Sequence, residues 1–209
     1  MEILLASSSE LKRSAVLAAY PGSVVHTFSG ARGASFAQPI GYLDTVRGAR
    51  RRLSDTLNVL EFDELGPHNS TYKYLGQPRP DLVIAIESGL IEVDNYWVDV
   101  AVVIQTKHRR PPELGYTKYN IIESTGVIVP IEYVRGVLSG RYSTWSEGDP
   151  RMDRKDPHKF LCGTSRKEFL TLALRNAQGD FPFCTKENEA DLLKRRKALR
   201  QKLRLVFEN

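Results

Sequence analysis

The stretch EILLASSSELKRSAVLAA, residues 2–19, determines the fold class of the chain. Its first five residues are mostly apolar and predict a short buried β-strand. Residues 11–19 are rich in strong helix formers and predict a helix, which a Pro-Gly pair ends. Between them, Ser7 and Glu10 have the spacing of a capping box. A strand that passes directly into a helix is typical of α/β proteins.

Strands and helices alternate along the rest of the chain. Apolar and β-branched runs predict further strands at residues 23–28, 81–87, 90–93, 96–105, 119–123 and 159–162. Periodic apolar patterns predict further helices at residues 42–60, 130–138, 166–177 and 187–207. A hairpin turn is expected at Asp94-Asn95. The sequence therefore predicts an α/β fold with a mixed, twisted sheet and flanking helices.

The length of 209 residues favours one domain, residues 1–209, with a core that needs neither disulfides nor a structural metal. Within it, residues 61–80 are rich in Gly, Pro and short polar side chains and predict an insertion. The N-terminal apolar run is too short for a signal peptide, and no later stretch approaches the ~18 apolar residues of a membrane span. Together with only two cysteines, these features predict a soluble cytoplasmic protein without membrane contact.

The formal net charge of +5 originates in one segment. Seven of the 30 Lys and Arg residues lie between positions 194 and 204, and the remaining 23 are balanced by 25 acidic residues. A nucleic-acid-binding domain more often spreads its basic residues over a folded face. The tail at 187–207 is therefore expected to be a docked helix with a solvated basic face, and nucleic-acid binding is the alternative.

The turn at residues 7–12 is the first candidate site. Ser7, Ser8 and Ser9 lie where a strand enters a helix, and unpaired N–H groups at a helix start favour an anion. Lys12, one turn into the helix, would complete a phosphate cradle. The alternative is plain helix capping. A P-loop is excluded because no Gly-x-x-x-x-Gly-Lys precedes the hydroxyls.

The second candidate site is Glu87-Ser88-Gly89, at the end of an apolar strand. Open α/β sheets bind ligands at the carboxyl ends of their strands. Mg²⁺ needs only one or two carboxylates in addition to substrate phosphates. Glu87 is therefore a candidate metal ligand, and an ordinary turn residue is the alternative.

Other acidic residues could join Glu87. Asp99 interrupts an alternating apolar strand, and Asp44 opens the second helix. Three more, Asp149, Asp153 and Asp156, lie in a later loop. A solvated or capping charge is the alternative for each of them. The four histidines are scattered and have no metal-ligand spacing or serine partner, which argues against a Ser/His/Asp or Cys/His hydrolase.

Four segments together resemble the inosine/xanthosine triphosphatase family, whose superfamily also holds the inosine triphosphate pyrophosphatases and the Maf nucleotide pyrophosphatases. Residues 5–12 are similar to the family's opening Ala-Thr-Thr-Asn-Pro-x-Lys turn. Residues 29–52 are similar to its Ser-Gly … Gln-Pro … Glu-Thr-x-x-Gly-Ala-Arg-x-Arg stretch, and residues 83–90 to its Val-Ala-Ile-Glu-x-Gly-Ile strand end. Arg154-Lys155 and residues 164–174 resemble its Gly-Arg-Lys-Glu-Gly and Leu-Thr-Arg segments.

This resemblance implies an elongated fold with a deep nucleotide cleft, and a homodimer. It implies Mg²⁺- or Mn²⁺-dependent hydrolysis of purine nucleoside triphosphates such as ITP and XTP to the diphosphate and phosphate. One alternative is a Maf-like or ITPase-like pyrophosphatase that releases a monophosphate and diphosphate. The other is a non-catalytic nucleotide- or RNA-binding protein on the same fold. The chain departs from the family pattern at Ser9, Asp44 and Pro157.

The candidate segments and the resemblance together assign roles to particular residues. Glu87 and Asp99 are expected to be catalytic, and Glu87 and Asp44 to hold the metal. The expected substrate-binding residues are Ser7, Ser8, Ser9, Lys12, Arg50, Ser88, Gly89, Lys155 and Arg166.

Overall fold

The computed structural model of the chain describes residues 1–28, 38–62, 80–107, 119–178 and 189–207. The strands are β1 (Glu2–Leu5), β2 (Val24–Thr27), β3 (Leu82–Val93), β4 (Tyr96–Lys107), β5 (Asn120–Glu123) and β6 (Val127–Val129). The helices are α1 (Glu10–Ala19), α2 (Tyr42–Phe62), α3 (Ile131–Leu138), α4 (Pro157–Cys162), α5 (Arg166–Asn176) and α6 (Glu189–Phe207). Among these helices none combines the length and the apolar composition that a bilayer span requires.

The six strands form one mixed sheet, as the sequence predicts. Their order is β2-β1-β3-β4-β5, and β6 also pairs with β4. β1 is parallel to both β2 and β3, whereas β3 and β4 are antiparallel. β3 and β4 form the predicted hairpin, which turns at Asp94-Asn95 with Asp94 in the left-handed region at φ 54°. Each of these two central strands has 12 residues, so the hairpin extends well beyond the four-residue β1.

Helices cover both faces of the sheet. On one face, α2 packs on β3 and β4 through apolar residues that include Val46, Ala49 and Leu53. Leu199 of α6 is buried in the same cluster. On the other face, α1 and α5 pack together over β1 and β3, with Val16 at their contact. Side chains alternate along a strand, so neighbouring residues of β3 and β4 point to different faces.

The predicted strand at 159–162 is wrong, because these residues belong to the helix α4. Pro157 occupies the first turn of α4, where a missing N–H costs nothing, and Gly163 ends it at φ 75°. This stretch has only three apolar or sulfur-bearing residues, Phe160, Leu161 and Cys162, which is too short a pattern to distinguish a strand from a helical turn.

The structure also differs from the predictions at a strand end, at a helix cap and in one short strand. The strand predicted to end at Glu87 continues through Ser88-Gly89 to Val93. The capping box predicted from Ser7 is replaced by Ser9, whose Oγ accepts a hydrogen bond from the Lys12 amide. The short strand β6 was not predicted. The proposed insertion at 61–80 lies almost wholly outside the described residues, and α2 includes its first two positions.

Candidate functional site

The candidate site lies at a gap in the sheet along β3. β1 pairs with β3 only as far as Leu5 and Ile84, and the residues around Ile40 rejoin the same edge of β3 at Leu90. Between these two points no strand of the described chain pairs with this edge of β3. The carbonyl of Ile86 is reached there by a side chain, Lys12 Nζ, at 2.8 Å. Ligands of open α/β sheets bind at such positions, beyond the carboxyl end of a strand.

The turn from β1 into α1 forms one wall of this gap. Ser9 caps α1, and Ser7 Oγ accepts a hydrogen bond of 3.2 Å from the Ser9 amide. Ser8 is exposed, whereas Ser7 is buried. The start of α1 is thus capped by its own serine hydroxyls, as the helix-capping interpretation of this turn expects. The same turn also directs Lys12 into the gap.

Lys12 is the charged group at the centre of the site. The pKa of its ammonium is lowered to about 8, chiefly by burial and also by the neighbouring Arg52 and Arg166. Glu87 and Asp99 act in the opposite direction and favour the charged form. Four charged groups from four other segments of the chain therefore lie close enough to Lys12 to influence it.

Glu87 points to the α2 face of the sheet. Its Oε2 atom accepts a hydrogen bond of 2.5 Å from Arg52 Nε, and its Oε1 accepts one of 3.2 Å from the Ser88 amide. The Glu87 side chain is 12% exposed and that of Arg52 34%. With 12% of its side chain exposed, Glu87 can bind a cation through its carboxylate oxygens.

Two glycines bring α2 close to β3 beside Glu87. A Cβ atom at Gly89 would lie 1.9 Å from Thr45 Oγ1, and one at Gly48 would lie 3.0 Å from Glu87 Cγ. Only glycine at position 89 permits this approach of the helix to the strand. Gly89, predicted to bind substrate, thus has a packing role that sets the distance between α2 and Glu87.

Asp99 points to the opposite face of the sheet and is fully buried. Its Oδ2 atom accepts three hydrogen bonds: from Arg166 (2.6 Å), Trp145 Nε1 (2.9 Å) and His158 Nε2 (3.1 Å). Burial alone would raise the pKa of Asp99, but Arg166 and the His158 and Trp145 hydrogen bonds hold it below its usual value. Asp99 is therefore an ionised anchor for three side chains from distant segments.

Several polar atoms around Asp99 retain unused hydrogen-bonding capacity. Four of the seven buried side-chain atoms without a hydrogen-bond partner in the described part of the chain belong to this group: Ser88 Oγ, Asp99 Oδ1, His158 Nδ1 and Arg166 Nε. Ser88 lies on the same face as Asp99, because Leu90 pairs with Asp99 and side chains alternate. The Arg166 side chain is 18% exposed and connects this buried cluster with the surface.

The α5 helix start, by contrast, is closed to an anion. Asp156 Oδ1 accepts the Arg166 amide at 2.8 Å, and Asp156 Oδ2 accepts the Ser165 hydroxyl at 2.6 Å. Ser165 Oγ in turn caps the Lys167 amide. A carboxylate already occupies the positive end of the helix dipole, so Arg166 rather than the helix end is the group available to a ligand.

The remaining predicted residues lie around this centre or away from it. Asp44 is exposed, forms an ion pair of 2.9 Å with Arg47, and lies one helical turn before Gly48. Arg50 donates to Tyr119 Oη at 2.7 Å, beside β5. Lys155 is exposed in the turn before α4. The interactions described above place eight of the predicted residues at or next to the gap: Ser7, Ser9, Lys12, Glu87, Ser88, Gly89, Asp99 and Arg166. Arg50 and Lys155 take no part in these interactions.

Sequence reasoning missed three residues of the site. Arg52 lies one turn after Gly48, so Asp44, Gly48 and Arg52 form a stripe on one side of α2. This four-residue period is a local signal that could have identified Arg52 rather than Arg50. Trp145 and His158 carry no comparable signal, because they meet Asp99 only through the fold.

The donor set limits how a metal could bind. No cluster of three or more His, Cys, Asp or Glu side chains suited to a metal ion occurs among the described residues. Mg²⁺ and its relatives are nevertheless often held by one or two carboxylates together with substrate phosphates. Glu87, with the small Gly48 beside it and Asp44 one turn away, fits that second arrangement.

The fold and site together define an α/β protein with a mixed six-stranded sheet and a charged cluster at a gap beside β3. The chain matches no known protein family and no characterised protein by sequence. Its structure is similar to that of protein VC0702 from Vibrio cholerae, with a TM-score of 0.50 and 15% sequence identity. The similarity covers 83% of this chain and 85% of VC0702. At this identity the similarity concerns the fold alone.

Proposed function

We propose that this protein is a metal-dependent nucleoside triphosphatase that acts on deaminated purine nucleotides such as ITP and XTP. One observation carries the proposal: Lys12, Arg52 and Arg166 converge with Glu87 and Asp99 at the gap beside β3. The resemblance of residues 5–12, 29–52 and 83–90 to the inosine/xanthosine triphosphatases supports it, and with it the specific fold and the homodimer of that family.

The charge balance of the cluster suits a polyphosphate. Three cationic side chains face two carboxylates, and both carboxylates are paired with arginines. Backbone amides at the start of α1 and the hydroxyls of Ser7, Ser8 and Ser9 lie beside Lys12. Helix starts and cationic side chains are the common elements of phosphate sites.

In the proposed reaction, water attacks the terminal phosphorus, the phosphoanhydride bond breaks, and the diphosphate and inorganic phosphate leave. Glu87 and Asp44 would hold Mg²⁺ or Mn²⁺, which when bound polarises phosphate oxygens and lowers the pKa of water. Lys12 offsets charge on the phosphate chain. Asp99 acts indirectly, because its carboxylate is fully buried and holds Arg166 in place.

Selectivity among purines would come from the 6-position of the base. A 6-oxo group accepts a hydrogen bond where the amino group of adenine donates one, so a single donor directed at that atom rejects ATP. Arg166 is the candidate donor, since its guanidinium is fixed by Asp99 and is still partly exposed.

The test is a product assay over ITP, XTP, GTP and ATP with Mg²⁺ or Mn²⁺, in which phosphate and diphosphate are measured separately. We expect phosphate release from ITP and XTP, and none without metal. Release of diphosphate would instead indicate a Maf-like or ITPase-like pyrophosphatase. Binding of nucleotide or RNA without turnover would indicate the non-catalytic alternative.

A further inference from the structure

The ion pair between Arg52 and Glu87 differs from a permanent structural pair. Arg52 Nε and Glu87 Oε2 are 2.5 Å apart, yet a third of the arginine side chain is exposed. The pair lies beside the gap, because Glu87 belongs to the part of β3 that borders it. The Arg52 side chain can therefore move into solvent, and 12% of the Glu87 side chain is accessible to another ligand.

A divalent cation at Glu87 is incompatible with Arg52 in its present place. The guanidinium and the cation would share one carboxylate at a separation of a few ångströms, where like charges repel strongly. Asp99, the other carboxylate of the cluster, is buried on the opposite face and already binds Arg166, and Asp44 is paired with Arg47. We therefore expect metal binding at Glu87 to displace Arg52.

The displaced guanidinium has a suitable destination. Arg52 binds Glu87, and the carbonyl of the preceding residue, Ile86, accepts a hydrogen bond from Lys12 Nζ, so Arg52 and Lys12 meet β3 at neighbouring positions. A guanidinium carries five N–H donors in a planar fork that matches phosphate oxygens. A polyphosphate in the gap would offer Arg52 a second anionic partner within reach of its long side chain.

We infer that Arg52 is a substrate-binding residue that neutralises Glu87 in the free protein and moves to the polyphosphate when a divalent cation takes its place. This inference deepens the proposed function and rests on it for the identity of the phosphate ligand. It assigns Arg52 a double role: it competes with the cation and cooperates with the phosphate.

The exchange is tested with two simple probes, Mn²⁺ alone and inorganic tripolyphosphate alone, on the full chain. We expect Arg52→Gln to bind Mn²⁺ about tenfold more tightly than the wild type, as measured by electron paramagnetic resonance. We expect the same variant to bind tripolyphosphate about tenfold more weakly, as measured by calorimetry. Arg51→Gln is the matched control: it removes the same charge from the adjacent, exposed position of α2 and should leave both affinities within about twofold of the wild type.

Opposite shifts in Arg52→Gln separate an exchange from a structural role, since loss of structure would weaken both probes. Affinities that are unchanged, or both weaker, overturn the inference, as does a wild-type chain that binds no Mn²⁺. If Arg52→Gln melts at a lower temperature, Arg52→Lys provides the test, with tripolyphosphate affinity between those of the wild type and Arg52→Gln.

These binding measurements do not depend on turnover. Opposite shifts in a chain that hydrolyses no nucleotide would support the exchange and overturn the proposed hydrolysis. Turnover together with unshifted affinities would overturn the exchange alone.

Discussion

At the gap, each face of the sheet carries a carboxylate that is paired with an arginine, and the two pairs differ in their exposure to solvent. Glu87 faces α2, is mostly buried with 12% of its side chain exposed, and binds an arginine that is one-third exposed. Asp99 faces α4 and α5, is fully buried and binds three donors. An accessible pair contributes little stability and can exchange partners, whereas a buried pair is costly to break. The same residue types are therefore suited to ligand exchange on one face and to positioning on the other.

The largest effect is expected from Asp99→Ala. Removal of this carboxylate leaves Arg166 and His158 without their buried partner, which should cost about 3–5 kcal/mol in the free energy of unfolding. The measurement is urea unfolding of the wild type and the variant. Glu87→Ala is the matched comparison on the other face and should cost about 1 kcal/mol or less. Equal losses would abolish the distinction between the faces.

Asp99 also predicts a pH dependence of stability. Its pKa in the folded protein lies below the ordinary value of 3.8, so its contribution is fully present above that pH. Stability should fall as the pH drops through and below 3.8, because the unfolded chain binds a proton at Asp99 more readily than the folded protein does. Unfolding measured between pH 6 and pH 3 should show a smaller decrease in Asp99→Ala than in the wild type.

Glu87→Gln should have the largest effect on catalysis. Loss of one essential electrostatic group lowers kcat by roughly 10²-fold, while the isosteric amide leaves the fold intact. Steady-state phosphate release from ITP at several metal concentrations provides the measurement. Turnover equal to that of the wild type at matched metal concentration would remove Glu87 from the mechanism.

The basic tail belongs to the Glu87 face, because Leu199 of α6 is buried in the core beneath α2. Arg195 and Arg200 also donate to the carbonyls of Ile121 and Glu92. Truncation after Gln178 should therefore lower the melting temperature by about 5 °C, a loss of a few kcal/mol of apolar burial. Turnover below the new melting temperature should survive. An unchanged melting temperature with loss of salt-sensitive RNA binding would instead identify a polyanion-binding arm.

The smallest effect is expected at Lys12, which lies between the two faces. Because its pKa is about 8, tripolyphosphate affinity should decrease as the pH rises from 7 to 9 and the ammonium loses its proton. Lys12→Ala should weaken tripolyphosphate binding about tenfold, have little effect on inosine, and remove most of this pH dependence. Equal weakening of both ligands would show that the turn has only a structural role.

Local patterns predicted most of the secondary structure. The helices α1, α2, α3, α5 and α6 and the strands β1 to β5 have local signals, namely apolar period, hairpin turn residues and helix formers. The errors occurred where such signals are short or ambiguous: α4 has six residues, and β6 only three. Ser88-Gly89 predicts the end of a strand, yet Gly89 continues β3, where it pairs with Val100 and packs against Thr45.

The sequence by itself determined the α/β class and the hairpin and indicated Lys12 and Glu87 as candidate site residues, because each depends on residues close along the chain. Only the tertiary structure decided that Glu87 and Asp99 lie on opposite faces. Side chains alternate along each strand, so the face of a residue depends on which residue of the partner strand lies opposite it. This register is set by the pairing of the two strands and cannot be determined from neighbouring residues in the sequence. The partners of Asp99 lie 46 to 67 residues away, so no spacing in the sequence indicates them. Arg52 became the partner of Glu87 because α2 packs on β3 at Gly48.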